Sequence, residues 1–398
     1  MASLRRRPLL LIGGALVVSA GAWVAGTWFT ASIEARRQAE QIDAFARQAT
    51  AQAAALRAIT TQPLHDLRAT RDEVRRQLEV IADELGVGTP RPLDGASPTA
   101  SYRIGQLTLA LGDAESACRH LDHAWALGAR ETGLAVERAR AHDLATRDRL
   151  RLDLDLDHDG GGSTVVIDSL EAIPADADLD DTDRAWIAVL RGFHGTPRRS
   201  VDASLDAIGA EGALLRADAA LVAARGATNA LEALDEAGAL YRRAIEATPS
   251  EPRGYAGLCS TWTEVLAHEL DATAGRSDAM VPASYGDRAE TACADGLVAD
   301  PDDPTLLVAM ARLQRLVAEA DRRRGDDPSP SAATTEEAVR RLIAGRQPEP
   351  AWVVAGLRWL GEARLVRARW LEERGEDPSA DLDAAETALA EARRLQQR

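Results

Sequence analysis

A run of alternating aspartates is the part of the sequence whose residue types and spacing best suit chemistry. Asp155, Asp157 and Asp159 are followed by three glycines. If Asp155 takes the first position of an EF-hand loop, the other two take the third and fifth, and a glycine takes the sixth, as such loops require. The twelfth position is then Val166, where a bidentate glutamate is needed. The pattern predicts a weak Ca²⁺ loop at these three aspartates, or alternatively a solvated acidic loop that replaces part of a repeat.

The histidines form no motif that is typical of catalysis or of a metal site. His65 lies between acidic and apolar neighbours, and we expect it to cap or orient the turn after Pro63. His120 and His123 are three residues apart and share a helix face, but no third ligand is near in sequence. HExxH, Gly-X-Ser-X-Gly and Cys/His nucleophile patterns are absent from the sequence. We therefore predict no enzyme, no catalytic residue, and no cofactor other than weakly bound Ca²⁺.

Composition predicts an all-α fold and argues against a nucleic-acid partner. Aromatic residues make up only 4% of the chain, and helix-forming Ala, Leu, Arg and Glu dominate it. The net charge is −16, which opposes binding to a phosphate backbone. Cys118, Cys259 and Cys293 lack CxxC spacing, so we expect small buried side chains rather than a metal site or a disulfide scaffold.

The N-terminal segment predicts a membrane anchor. Three arginines precede an uncharged run over residues 8–33, and residues 8–29 are long and apolar enough to cross a hydrocarbon core of about 30 Å. The arginines favour a cytoplasmic N-terminus. This predicts a single-pass protein of the cell (inner) membrane with its repeats on the periplasmic, extracytoplasmic side. A cleaved signal peptide is the alternative interpretation.

The remaining sequence divides by composition and by repeats. We predict a cytoplasmic stub and transmembrane helix over residues 1–33, and a helical stalk and linker over 34–98. The stalk is either a short coiled coil or a helix packed on the first repeat. N-terminal repeats resembling tetratricopeptide (TPR) units then occupy 99–248, and extended TPR-like repeats occupy 249–398. The fold expected from this pattern is a single transmembrane helix followed by an α-solenoid of TPR-like helix pairs.

Small and bulky residues recur at the spacing that a TPR helix pair requires. Small residues allow the two helices to approach closely, and a proline ends the second helix. The matching residues are Gly105, Ala117, Leu121 and Ala124 in one unit and Ala237, Tyr241, Ala244 and Pro249 in another. A second repeat is longer, because the sequence of residues 324–329, Arg-Gly-Asp-Asp-Pro-Ser, returns as Arg-Gly-Glu-Asp-Pro-Ser at 374–379. The C-terminal units therefore read as helix, Gly-Asp-Pro turn, helix.

These features together resemble a known family. Enlarged TPR units with Gly-(Asp/Glu)-Asp-Pro turns, behind an apolar helix and the segment from Gln62 to Arg68, are similar to the extracytoplasmic half of certain bacterial receptor-type serine/threonine protein kinases. The kinase motifs themselves are absent from this sequence. The resemblance implies a membrane-anchored protein-interaction scaffold or sensor, with a protein or peptide partner in the solenoid groove. The alternative is the outer ligand-sensing part of a split or truncated kinase receptor.

Overall fold

The computed structural model divides into two units. By their internal contacts, Met1–Gln52 and Ala53–Arg398 form separate units, and the described positions of the first unit are helical. The structure describes residues 58–84, 97–151, 160–194, 202–273, 283–345 and 350–397, together with single positions between 40 and 56.

Within these described ranges, all regular structure is α-helical, which confirms the predicted all-α class. The helices are α1 (Arg68–Glu84), α2 (Pro98–Ala110), α3 (Ala114–Ala126), α4 (Thr132–Arg151), α5 (Gly160–Glu171), α6 (Asp181–His194), α7 (Asp202–Ala207), α8 (Ala210–Arg225), α9 (Ala230–Ala247), α10 (Pro252–Ala272), α11 (Ala283–Ala299), α12 (Pro304–Arg324), α13 (Ser329–Ala344), α14 (Pro350–Glu373) and α15 (Ser379–Gln396).

Helices α2 to α15 stack as pairs. The pairs are α2/α3, α4/α5, α8/α9, α10/α11, α12/α13 and α14/α15, and α6 and the short α7 are inserted between the second and third pairs. The first helix of each pair also contacts the first helix of the next pair, so α2, α4, α8, α10, α12 and α14 form one row. Among the described residues, the main contacts of each pair are with its neighbours, which is the arrangement of an α-solenoid.

Small residues let the paired helices approach closely, as the sequence predicted. A Cβ on Gly105 would lie 2.7 Å from Cγ of Leu121 in the partner helix. Between neighbouring pairs, a Cβ on Gly257 in α10 would lie 2.0 Å from the ring of Tyr241 in α9, which is fully buried. Larger side chains at these glycines would therefore force the helices apart. The predicted alanines are buried between these helices as well: Ala117, Ala124, Ala237 and Ala244.

The Gly-Asp-Pro turn has the same geometry in both of its copies. Gly325 and Gly375 adopt φ angles of 82° and 72°, the left-handed conformation that ends a helix. The carboxylates of Asp327 and Asp377 each accept the amide N–H of the serine two residues later, at 2.9 and 3.0 Å. The turn thus ends one helix and begins the next, which confirms the predicted helix–turn–helix unit.

One expectation about the cysteines is wrong. Cys259 in α10 and Cys293 in α11 form a disulfide that links the two helices of one pair. Cys118 in α3 is a buried free thiol, as expected. The sequence spacing did not indicate the disulfide because its two halves lie on different helices, 34 residues apart.

The predicted transmembrane architecture and the membrane location derived from it are also corrected. No helix among the described residues is long and apolar enough to cross a membrane. Even α14, with 24 residues, carries charged side chains along its length, such as Arg358, Glu362 and Arg367. Such charges are costly in hydrocarbon. The predicted span, residues 8–29, lies outside the described residues.

Candidate functional site: a segment bound across the turns of the solenoid

Residues 60–71, here called the docked segment, lie across two turns that join consecutive helix pairs. These turns are residues 248–251, between α9 and α10, and residues 300–303, between α11 and α12. The N–H of Ser250 donates to the carbonyl of Thr60 at 3.1 Å, and the N–H of Leu67 donates to the carbonyl of Ala299 at 2.7 Å. The main chain of the docked segment is therefore bound by the main chain of the solenoid.

Local chemistry explains why the docked segment is not helical at its centre. Pro63 cannot continue the preceding helix, and residues 62–67 have no regular structure. Nδ1 of His65 lies 2.7 Å from the carbonyl of Pro63, which confirms that His65 orients this turn. The carboxylate of Asp66 then accepts the N–H of Arg68 at 2.7 Å, where α1 begins.

Ser250 of the solenoid forms hydrogen bonds with this irregular backbone. The hydroxyl of Ser250 accepts the N–H of His65 at 3.2 Å and donates to the carbonyl of Pro63 at 3.1 Å. Ser250 is fully buried, so these polar groups satisfy each other away from water. A hydroxyl that can both donate and accept suits a chain that lacks its own backbone ladder.

Two leucines anchor the docked segment in apolar surroundings. Leu64 packs against a cluster of Tyr255, Ala256 and Leu306, which come from α10 and α12. Leu67, three residues later, is only 1% exposed. Complete burial of a leucine side chain contributes about 1.5–3 kcal/mol, so Leu67 contributes about this much and the half-buried Leu64 contributes less.

Arg71 is the third anchor, and it enters an acidic site. Its guanidinium donates to the carboxylate of Asp300 at 2.6 Å, and both side chains are buried. Burial alone would lower the pKa of Arg71, but Glu251, Asp300 and Asp303 raise it overall. The carboxylates therefore hold the guanidinium in its charged form.

Within the acidic site, the carboxylates of Asp300 and Asp303 repel each other. Burial and the neighbouring carboxylate of Asp300 raise the pKa of Asp303 to about 6, against the opposing effect of Arg71. Asp303 also caps α12, because its carboxylate accepts the N–H of Leu306 at 3.0 Å. Asp300, which contacts Arg71, together with Glu251 and Asp303, whose charges also raise the pKa of Arg71, is here called the acidic seat.

Buried ion pairs hold the helices on which the seat is built. Arg253 joins Glu211 of α8 to Glu251 at the start of α10. Arg151 of α4 donates to both carboxylate oxygens of Asp218 in α8, at 2.9 Å each. These charges are stable in the interior only because they are paired, so they fix the relative position of α4, α8 and α10.

A serine, a histidine and an aspartate line up at a separate place, between α4, α5 and α6. Oγ of Ser163 lies 3.2 Å from Nδ1 of His194, and Nε2 of His194 lies 2.9 Å from Asp143. No sequence motif predicted this group, because the three residues lie on three different helices. Asp143 also pairs with Arg147 at 2.7 Å, and Arg147 and His194 lower its pKa although burial raises it. Its charge is thus already balanced.

The predicted Ca²⁺ ligands Asp155, Asp157 and Asp159 lie outside the described residues, so the Ca²⁺ loop stays a prediction. In the part of the chain that the structure describes, no group of three metal-binding side chains occurs. His123 hydrogen-bonds to Ser101, with 3.1 Å between Nδ1 and Oγ, while His120 is fully buried in the same helix.

Comparisons with known proteins add little to this geometry. No family model and no curated protein matches the sequence. Among solved structures, a monomeric mutant of IFIT1 with Gppp-AAAA is 13% identical, with a TM-score of 0.41 over 80% of this chain and 76% of that one. The human IFIT1 dimer with m7Gppp-AAAA is 12% identical, with a TM-score of 0.38 over 81% and 77%. The stacked helix pairs agree with the TPR-like half of the resemblance, and nothing supports its kinase half.

Proposed function

We propose that this protein is a protein-interaction scaffold whose solenoid binds peptide segments across the turns between helix pairs. The observation that supports this most is the docked segment, which the solenoid binds through its main chain and three side-chain anchors. Main-chain hydrogen bonds supply affinity in such recognition, and pockets for alternate side chains supply specificity. The chain's own segment shows which chemistry these turns accept.

The acidic seat supports a protein partner over a nucleic acid. Asp300 pairs with Arg71, and the charges of Glu251 and Asp303 also act on that arginine. Phosphate groups near them would be repelled, whereas a guanidinium is attracted. The kinase-receptor alternative has no observation of its own in the described helices.

Binding rather than catalysis also fits the Ser163, His194 and Asp143 group. A catalytic carboxylate stabilises the imidazolium that forms as the serine is deprotonated. Here Arg147 already compensates Asp143, so this stabilisation is reduced. We expect a fluorophosphonate probe not to label Ser163. Labelling that disappears in Ser163→Ala would contradict this assignment and favour an acyl-transfer enzyme.

Site-specific photo-crosslinking tests the scaffold function. A benzoylphenylalanine at Val298 would stand one residue from Ala299, and Ile343 in α13 offers a matched control, because the two side chains are 50% and 49% exposed. In native extracts, we expect the full chain carrying Arg71→Glu, which removes the ion pair that anchors its own residues 60–71, to form intermolecular adducts from position 298 and not from 343. Equal adducts at both positions, or none at 298, would contradict peptide binding at the turns.

A further inference from the structure

We infer that the docked segment is a built-in competitor, and that the site it occupies binds a partner segment with the same three anchors. That partner would carry two apolar side chains three residues apart, and an arginine four residues after the second. This inference rests on the proposed scaffold function and specifies its ligand. It follows from the way in which the site and the segment are each constructed.

The site is organised by the solenoid and not by the segment. Tyr255 and Leu306 belong to α10 and α12, and the hydroxyl of Tyr255 donates to the carbonyl of Pro249 at 2.8 Å. Asp303 is fixed as the cap of α12, and Glu251 is fixed by Arg253. All of these contacts join residues of the solenoid to one another, so they remain when the segment leaves.

Once the docked segment has left, the site would favour the binding of a cation. Without Arg71, the buried carboxylate of Asp300 would lose its ion-pair partner beside the half-buried Asp303, whereas Glu251 would keep its contact with Arg253. Buried charges without partners are strongly unfavourable. Arginine suits such a site better than lysine, because its planar guanidinium reaches several carboxylates at once and is more weakly hydrated.

The docked segment is attached at its anchors and exposed between them. Leu64, Leu67 and Arg71 contact the solenoid, whereas residues 61–63, 66, 68 and 69 are exposed. A strand or helix of the core would be covered on more of its positions. The segment is therefore bound as a peptide ligand is bound, through spaced anchors, and it can be replaced by another chain that presents the same anchors.

Tethering gives the segment an advantage over a free competitor. A short tether provides an effective concentration of the order of mM, so a partner in trans meets a site that is mostly occupied. The apparent affinity of the partner falls by the fraction of molecules whose site is open. We expect the wild-type chain to bind a matching free peptide roughly 100-fold more weakly than a chain whose own segment is released.

The test uses the full chain with Leu67→Asp and Arg71→Glu, which should release the segment by burying one charge and repelling the acidic seat. The probe is a fluorescent peptide of residues 58–73, and its binding is measured by anisotropy. Deuterium uptake of residues 60–71 reports release. The chain with Arg68→Glu is the matched control, since Arg68 makes only exposed ion pairs.

We expect the released chain to bind the peptide and the wild-type and control chains to bind it roughly 100-fold more weakly. A peptide with Arg71→Glu should not bind. The inference is overturned if the double variant does not release the segment, if the released chain does not bind the peptide, or if it binds the Arg71→Glu peptide equally well.

If circular dichroism shows that the double variant is unfolded, a second variant with a reversed charge in the site tests the inference instead. Asp300→Arg in the full chain should repel Arg71 and bind a peptide with Arg71→Asp in preference to the natural peptide. The opposite preference would overturn the inference. If no peptide binds but adducts still form from position 298, the scaffold function stands and only the built-in competitor is overturned. If no peptide binds and no adducts form from position 298, both proposals are overturned.

Discussion

The Gly-Asp-Pro turns and the docked segment are both places where the chain leaves one helix and enters another, but they are stabilised differently. Each turn is closed by contacts between residues only two to five positions apart, such as Ser329 with Asp327. The docked segment is closed by contacts across 185 residues, from His65 to Ser250, and 229 residues, from Arg71 to Asp300. Local contacts therefore close the turns, while long-range contacts hold the docked segment across them.

The largest expected effect comes from the disulfide, whose removal should destabilise the solenoid without releasing the docked segment. Replacing Cys259 and Cys293 by alanine removes a crosslink that spans 34 residues, for which loop entropy gives about 4 kcal/mol. We expect urea unfolding to show a loss of this size, with the segment still protected from deuterium exchange in native buffer. Cys118→Ala is the control, because Cys118 forms no disulfide. A loss no greater than that of the control would contradict a structural disulfide.

The next effect removes an anchor of the docked segment. Arg71→Met leaves Asp300 buried without its partner, which should cost about 3 kcal/mol. Arg68→Met removes only exposed pairs and should cost less than about 1 kcal/mol. Urea unfolding of both variants measures the difference. If the two losses are equal, Arg71 is not held by the acidic seat.

A smaller effect depends on pH. The pKa of Asp303 is raised to about 6, so its neutral form favours folding at low pH, and that stability is lost as pH rises through 6. Asp303→Asn keeps a capping side chain without the charge. We expect this variant to gain stability relative to wild type as pH rises from about 4 to 7, by on the order of 2 kcal/mol. A difference that shrinks over this range would contradict the sign of the shift.

The smallest effect concerns the turns alone. Gly325→Ala and Gly375→Ala place a Cβ at positive φ, which should cost about 1 kcal/mol in each copy. Gly286→Ala is the control, since it lies in α11 and a Cβ there would lie 3.6 Å from Val317. That helical substitution should be neutral or stabilising. Thermal unfolding compares the three, and unequal losses at the two turns would show that their shared sequence does not give them equal roles.

The same contrast explains what could be predicted from the sequence. The repeats were predictable because Gly325, Asp327 and their copies act on residues close in the chain. His65 was assigned to its turn for the same reason. The acceptor of the segment could not be found, because Ser250 and Asp300 look like ordinary residues of turns between repeats. No local pattern connects them to Leu67 or Arg71.

Deuterium exchange of the Leu67 amide in the unmodified chain tests the central claim most directly. This N–H donates to the carbonyl of Ala299 at 2.7 Å and belongs to a buried residue outside any helix. We expect it to exchange as slowly as amides inside α10 and α12, and to lose this protection in Arg71→Met. Rapid exchange in the unmodified chain, while α10 and α12 remain protected, would contradict the claim that the solenoid binds this segment.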